Sequence, residues 1–134
     1  MTVIACVSDG GGIAFNKRRQ SKDRVVIQDV LTCFADKKIY VSQYSAPLFE
    51  GSQAVVCDGL LDVADAQDVC FTEKQTLGGY VDKISTLIIY RWNRRYPADL
   101  YFDVEPEKCG FRLAESAELV GWSHEKITKE VYVK

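Results

Sequence analysis

Apolar residues along this chain fall in short continuous runs, broken by polar, glycine- or proline-marked stretches. Residues 2–7 form the first run, as expected of a strand buried on both faces. Asp9 to Gly12 interrupts it, and Gly10, Gly11 and Gly12 permit positive φ and close backbone approach there. Over residues 22–34 the period changes. Val26 or Ile27, Val30, Leu31 and Phe34 recur at helical spacing, opposite Lys22, Asp23, Arg24, Gln28 and Asp29. Ser21 is placed to cap that helix.

Residues 38–42 read as a second strand. Ser45 to Phe49 reads as the start of a short helix, capped by Ser45 with Pro47 in its first turn and Gly51 ending it. Ala54 to Cys57 gives a third strand, Asp58 to Ala66 a helical turn and Asp68 to Thr72 a fourth strand. Residues 76–83 suggest one more short helix, weakened by Gly78 and Gly79. Ile84 to Trp92, rich in β-branched and aromatic residues, is the strongest strand. After a loop marked by Pro97, residues 111–119 and 127–134 alternate well enough to pair as an antiparallel hairpin. Early strands separated by helices, then a late β stretch, predict a mainly parallel sheet with an antiparallel edge.

With 134 residues, 47% hydrophobic and 27% charged, the chain has the makeup of one globular domain over residues 1–134. A net charge of −2 argues against a globally basic nucleic-acid binder but leaves room for a local basic patch. The five cysteines, at positions 6, 33, 57, 70 and 109, are odd in number and form no C-x-x-C pair. Reduced thiols in a reducing cytoplasm are expected. The opening residues lack the basic start of a signal peptide. No run approaches the ~20 apolar residues of a membrane span. A cytoplasmic protein without a membrane partner is therefore expected.

Thr2 to Asp9, followed by Gly10-Gly11-Gly12-Ile13, makes a distinctive opening. The close contains Tyr96-Pro97-Ala98-Asp99-Leu100-Tyr101-Phe102, then Phe111-Arg112-Leu113 and Glu130-Val131-Tyr132-Val133. Together these segments resemble the two ends of a dihydrofolate reductase. The resemblance fits that family's element order from Thr2 to about Phe49 and from about Asp68 to Lys134. It implies an α/β fold: a mainly parallel central sheet flanked by helices, with a C-terminal antiparallel hairpin. It also implies that Asp99 ties down the loop of residues 10–16 through backbone amides; the alternative is an acidic residue in a surface turn after Pro97. Asp23 is the one residue placed to stand where the catalytic carboxylate stands. Its alternative role is that of an acidic residue stabilised by the helix dipole.

The middle departs from the family. Phe15 to Asp23 has neither the Trp nor the Leu-Pro pair that the family carries at its folate site. Ser42-Gln43-Tyr44-Ser45 occupies the place of a Gly-Arg-x-Thr sequence that holds NADPH phosphates, and supplies no cation. Gly78-Gly79 comes too late for a pyrophosphate loop. The resemblance thus implies the scaffold without its grip on a dinucleotide, and no cofactor is expected. NADPH enters only under the alternative of a pterin or related small-molecule reductase.

His124, the only histidine, falls in the turn of the final hairpin and reads as a surface residue. One His and scattered Cys make no metal site. Asp58, Asp62, Asp65 and Asp68 read as a solvated helix face. Two basic clusters remain: Lys17, Arg18, Arg19, Lys22 and Arg24, and Arg91, Arg94 and Arg95 with Trp92 and Tyr96 interleaved. If the reductase-like topology holds, they meet around Gly10 to Gly12. Arg18, Arg19, Arg94 and Arg95 would then receive an anion over a glycine floor. Alternatively they pair with Asp9, Asp23, Asp99 and Asp103. The expected function is a non-catalytic binding protein for a small anionic ligand or an acidic protein segment. A small immunity or antitoxin-type protein is a further alternative. Nothing resembles a nucleic-acid module, which argues against sequence-specific reading.

Overall fold

A computed structural model describes all 134 residues. Its centre is a seven-stranded sheet. In chain order the strands of that sheet and their neighbours are β1 (Thr2–Val7), β2 (Gly12–Phe15), β3 (Arg18–Arg19), β4 (Ile39–Val41), β5 (Val55–Val56), β6 (Val69–Phe71), β7 (Thr86–Arg91), β8 (Leu100–Tyr101), β9 (Arg112–Leu119) and β10 (Ile127–Val133). The large sheet runs β5-β4-β6-β1-β7-β10-β9, and β2 pairs with β3 and β8 in a separate small sheet. The first five strands of the large sheet are parallel to their neighbours. β10 then runs antiparallel to both β7 and β9. Two α-helices, α1 (Arg24–Cys33) and α2 (Leu60–Val63), and three 3-10 turns fill the connections.

The apolar runs are continuous because the central strands are covered on both faces. Val3, Ala5 and Val7 of β1 join Leu87 and Ile89 of β7 and Leu60 and Leu61 of α2 on one face. Ile4, Ile88 and Tyr90 turn to the other, against Val26 and Val30 of α1. That second face also holds Phe49, Phe71 and Trp92, all buried. Phe49 packs edge-on against Phe71 at 4.9 Å between ring centroids.

Several boundaries differ from the sequence expectation. The helix expected over 22–34 begins at Arg24, because Asp23 and not Ser21 is its N-cap, its side chain accepting the Val25 amide. The expected short helices at 46–49 and 76–83 are 3-10 turns, Ala46–Phe49 and Gly78–Lys83. Most of the loop after β1 is itself paired: Gly12 and Ala14 lie against Tyr101 and Leu100. Short strands of this kind leave no periodic signature.

Candidate functional site

The loops at the carboxyl ends of β1 and β7 converge with the start of α1 and the turn between β9 and β10. Gly12 is packed so tightly that a Cβ there would lie 2.4 Å from the Ala98 Cβ. Gly10 and Gly11 face open space. The Gln20 side-chain amide bridges the Ser8 hydroxyl and the Pro97 carbonyl, each at 3.1 Å. Asp99 accepts the Asn16 amide at 3.0 Å, and its own N–H donates to the Ala14 carbonyl at 3.1 Å.

Asp23 is the centre of the arrangement. It is buried. Besides the Val25 amide, its carboxylate accepts the N–H groups of Trp122, Ser123 and His124 at 2.9, 2.9 and 3.2 Å. Three successive amides wrapped round one carboxylate form an anion-binding nest. The Ser123 hydroxyl lies 3.2 Å from Oδ2, and the His124 Nδ1–H donates to Oδ2 at 2.9 Å. Burial alone would raise this carboxyl. The Trp122 amide, the His124 ring N–H and the Val25 and Ser123 amides outweigh it and hold the group well below the usual carboxylate range. Gly121 makes room for the nest, since a Cβ there would lie 2.7 Å from Asp23 Oδ2.

His124 is buried, not a surface residue as its place in a hairpin turn suggested. The turn folds back over the start of α1 and carries the ring inside. Its imidazole stacks on Trp92 at 4.5 Å. With Nδ1–H given to Asp23, Nε2 is an acceptor. It lies 2.9 Å from the Tyr96 hydroxyl and 3.1 Å from Ser21 Oγ. No local pattern marks this cluster, because Asp23 and His124 are 101 residues apart in sequence.

Of the four arginines, Arg19 and Arg94 meet different partners. Arg19 makes a bidentate pair with Glu73 at 2.7 and 3.0 Å and lies over the Tyr44 ring at 4.4 Å. Glu73 also accepts the Ser45 hydroxyl at 2.6 Å. Arg94 donates to the Ser123 carbonyl at 3.1 Å. It helps line a polar cavity of about 620 Å³ with Asp9, Trp92, Asn93, Glu125, Lys126 and Thr128. Arg18 and Arg95 are exposed and make no ion pair. Three of the four carboxylates offered as their partners are engaged elsewhere: Asp99 by the Asn16 amide, Asp103 by the Leu77 and Gly78 amides, and Asp23 in the nest just described.

A second groove, of about 520 Å³, runs along the exposed side of α1. Ile27, Leu31, Leu48 and Trp122 give it apolar walls. Lys22 and Arg24 stand on its rim, and Glu50 also lines it. Trp122 is 70% exposed, and the Arg24 guanidinium lies 4.1 Å from its ring centroid. Sequence reasoning gave this groove no role, because Trp122 and α1 are far apart along the chain.

No cluster of His, Cys, Asp or Glu could hold a metal ion. Asp58 accepts the Gln43 amide, Asp62 the Tyr80 hydroxyl and Asp68 the nearby Asp65 amide. All five cysteines are free. Burial raises the Cys6 thiol and pushes Cys70 up to about 11, so both stay protonated. No helix is long and apolar enough to cross a membrane.

No family model and no curated protein matches the sequence. Solved structures do. A dihydrofolate reductase from Enterococcus faecalis, complexed with NADP(H) and RAB-propyl, superposes with a TM-score of 0.64 over 98% of this chain and 94% of that one. The fold is that of dihydrofolate reductase. Identity is 10%, so the likeness concerns the backbone path alone. The reductase fold accounts for the central parallel strands, the antiparallel close and the place of α1 beside β1. What the loops do chemically rests on the residues just described.

Proposed function

We propose that this chain uses the reductase scaffold to bind an anionic ligand with an apolar body, and that it transfers no hydride. The observation that carries the reading is the occupancy of Asp23. It is the one carboxylate at the start of α1, and four backbone amides and a histidine already take its oxygens. A pterin ring could reach it only by dismantling that nest. The opposite corner argues the same way. Where the resemblance calls for phosphate contacts, the Ser45 hydroxyl is held by Glu73, whose charge repels a phosphate. Phe49, Phe71 and Trp92 fill the interior beneath α1.

The groove on α1 is the ligand site in this reading. Its apolar walls match a ring or short alkyl body, and Lys22 and Arg24 match a carboxylate or sulfonate at one end. Of the exposed arginines, Arg18 and Arg95 are left for longer-range attraction. An acidic peptide segment is the larger version of the same ligand.

Tryptophan emission tests this directly. Trp92 is 3% exposed and Trp122 is 70% exposed, so titration with anilinonaphthalene sulfonate should report mainly on Trp122. Saturable quenching, lost in Trp122→Ala and weakened in a Lys22→Ala, Arg24→Ala double variant, is the expected result. Equal binding by all three proteins would remove the groove as the site.

A further inference from the structure

We infer that Ser21, His124 and Asp23 form a nucleophilic triad that cleaves small carboxylic esters. The inference goes beyond the groove reading, since Ser21 lines neither the α1 groove nor the cavity below Arg94.

Three groups stand in the order that nucleophilic catalysis needs. Asp23 Oδ2 accepts the His124 Nδ1–H at 2.9 Å, which fixes the tautomer and leaves Nε2 unprotonated and able to take a proton. Ser21 Oγ lies 3.1 Å from that Nε2. The base is shielded: His124 is buried and its ring lies flat on Trp92. Ser21 is half-buried and is the end of the relay nearer solvent. The nest round Asp23 keeps the carboxylate ionised and in place, which makes Asp23 a positioning residue. The Tyr96 hydroxyl donates to Ser21 Oγ at 3.3 Å and lies 2.9 Å from Nε2. The N–H of Lys22, one residue after the nucleophile, donates to no protein carbonyl or side chain and can receive a developing oxyanion.

In the step, Ser21 Oγ adds to the carbonyl carbon while its proton passes to His124 Nε2. The C–O bond to the alcohol then breaks, and the departing oxygen takes the proton from Nε2. Water repeats the sequence on the acyl-serine and releases the acid. One ester and one water give one acid and one alcohol, with nothing oxidised or reduced. The substrate must be small, because no cavity described above opens onto Ser21. An acetyl or similar acyl group with an exposed leaving group fits.

The test uses the full chain with a fluorophosphonate and, separately, p-nitrophenyl acetate. Peptide mass spectrometry should place one fluorophosphonate adduct on Ser21. The ester should release a nitrophenolate burst stoichiometric with protein. Ser21→Ala should lose both adduct and burst, and Ser116→Ala, on exposed β9, should keep them. Matching far-ultraviolet spectra for the variants would assign the loss to the hydroxyl. Absence of an adduct on the wild type overturns the proposal without any variant. An adduct on Tyr96 or another residue, or an undiminished burst in Ser21→Ala, overturns it too.

Discussion

The carboxylate of Asp23 and the imidazole of His124 meet at 2.9 Å with side chains only 0% and 1% exposed. That contact locks the turn between β9 and β10 onto the first turn of α1. It joins residues the chain supplies from opposite ends. It also gives the protein a long-range fastening whose loss is measurable.

Asp23→Ala should be among the most damaging single substitutions. It removes a helix cap, the acceptor of the His124 ring N–H and the acceptor for three amides of one turn. Leaving buried donors of this kind without a partner costs about 1–3 kcal/mol each. Urea unfolding should show that loss, with Asp23→Asn retaining part of it because the amide oxygen still accepts hydrogen bonds.

Acid should loosen the same fastening. The folded Asp23 carboxyl titrates well below its unfolded value, near ~3.9. Its contribution is therefore fully present above about pH 4 and is lost as pH falls towards the folded value, where the unfolded chain binds the extra proton. Thermal melts from neutral pH down to about pH 3 should show a decline below about pH 4 that is shallower in Asp23→Asn.

Glycines in the site region should divide sharply. A Cβ at Gly12 would lie 2.4 Å from Ala98 Cβ, and one at Gly121 would lie 2.5 Å from the His124 carbonyl oxygen. Overpacking of this kind costs about 1–3 kcal/mol or more, so Gly12→Ala and Gly121→Ala should lower Tm by several degrees. Gly10→Ala meets open space and should leave Tm unchanged within error.

The Arg19–Glu73 pair should behave as structure and not as a ligand site. Its side chains are 23% and 9% exposed, and Ser45 and Tyr44 add further contacts. Hydrogen bonds to charged groups of this kind contribute about 1.5–3 kcal/mol. A double-mutant cycle with Arg19→Ala and Glu73→Ala should give a coupling of that order. Phosphate should not stabilise the wild type.

The reductase-like architecture was legible where continuous apolar runs predict strands covered on two faces, as in β1 and β7. The closing hairpin was legible from alternation, and α1 from its period. β2, β3 and β8 were not, because pairs of two to four residues carry no period. The site was harder. Asp23 stood out through its place at a helix start, yet its partners come from the far hairpin turn. The arginines drew attention as clusters along the chain, but Arg19 turns to Glu73 and Arg94 to Ser123. Sequence proximity of like charges says nothing about which carboxylate or carbonyl each one finds. His124 was misplaced for the complementary reason: a hairpin turn is exposed by default, and only the amide nest on Asp23 folds this one inward.

If the proposed function holds, the α1 carboxylate is spent on its own backbone and the chain does not reduce a pterin. Purified protein incubated with NADPH and a dihydropterin, followed by nicotinamide absorbance, tests it most directly. Consumption at the protein-free rate and no rise in Tm with NADPH are expected. Turnover above that rate, abolished by Asp23→Asn, would show that Asp23 still serves hydride transfer.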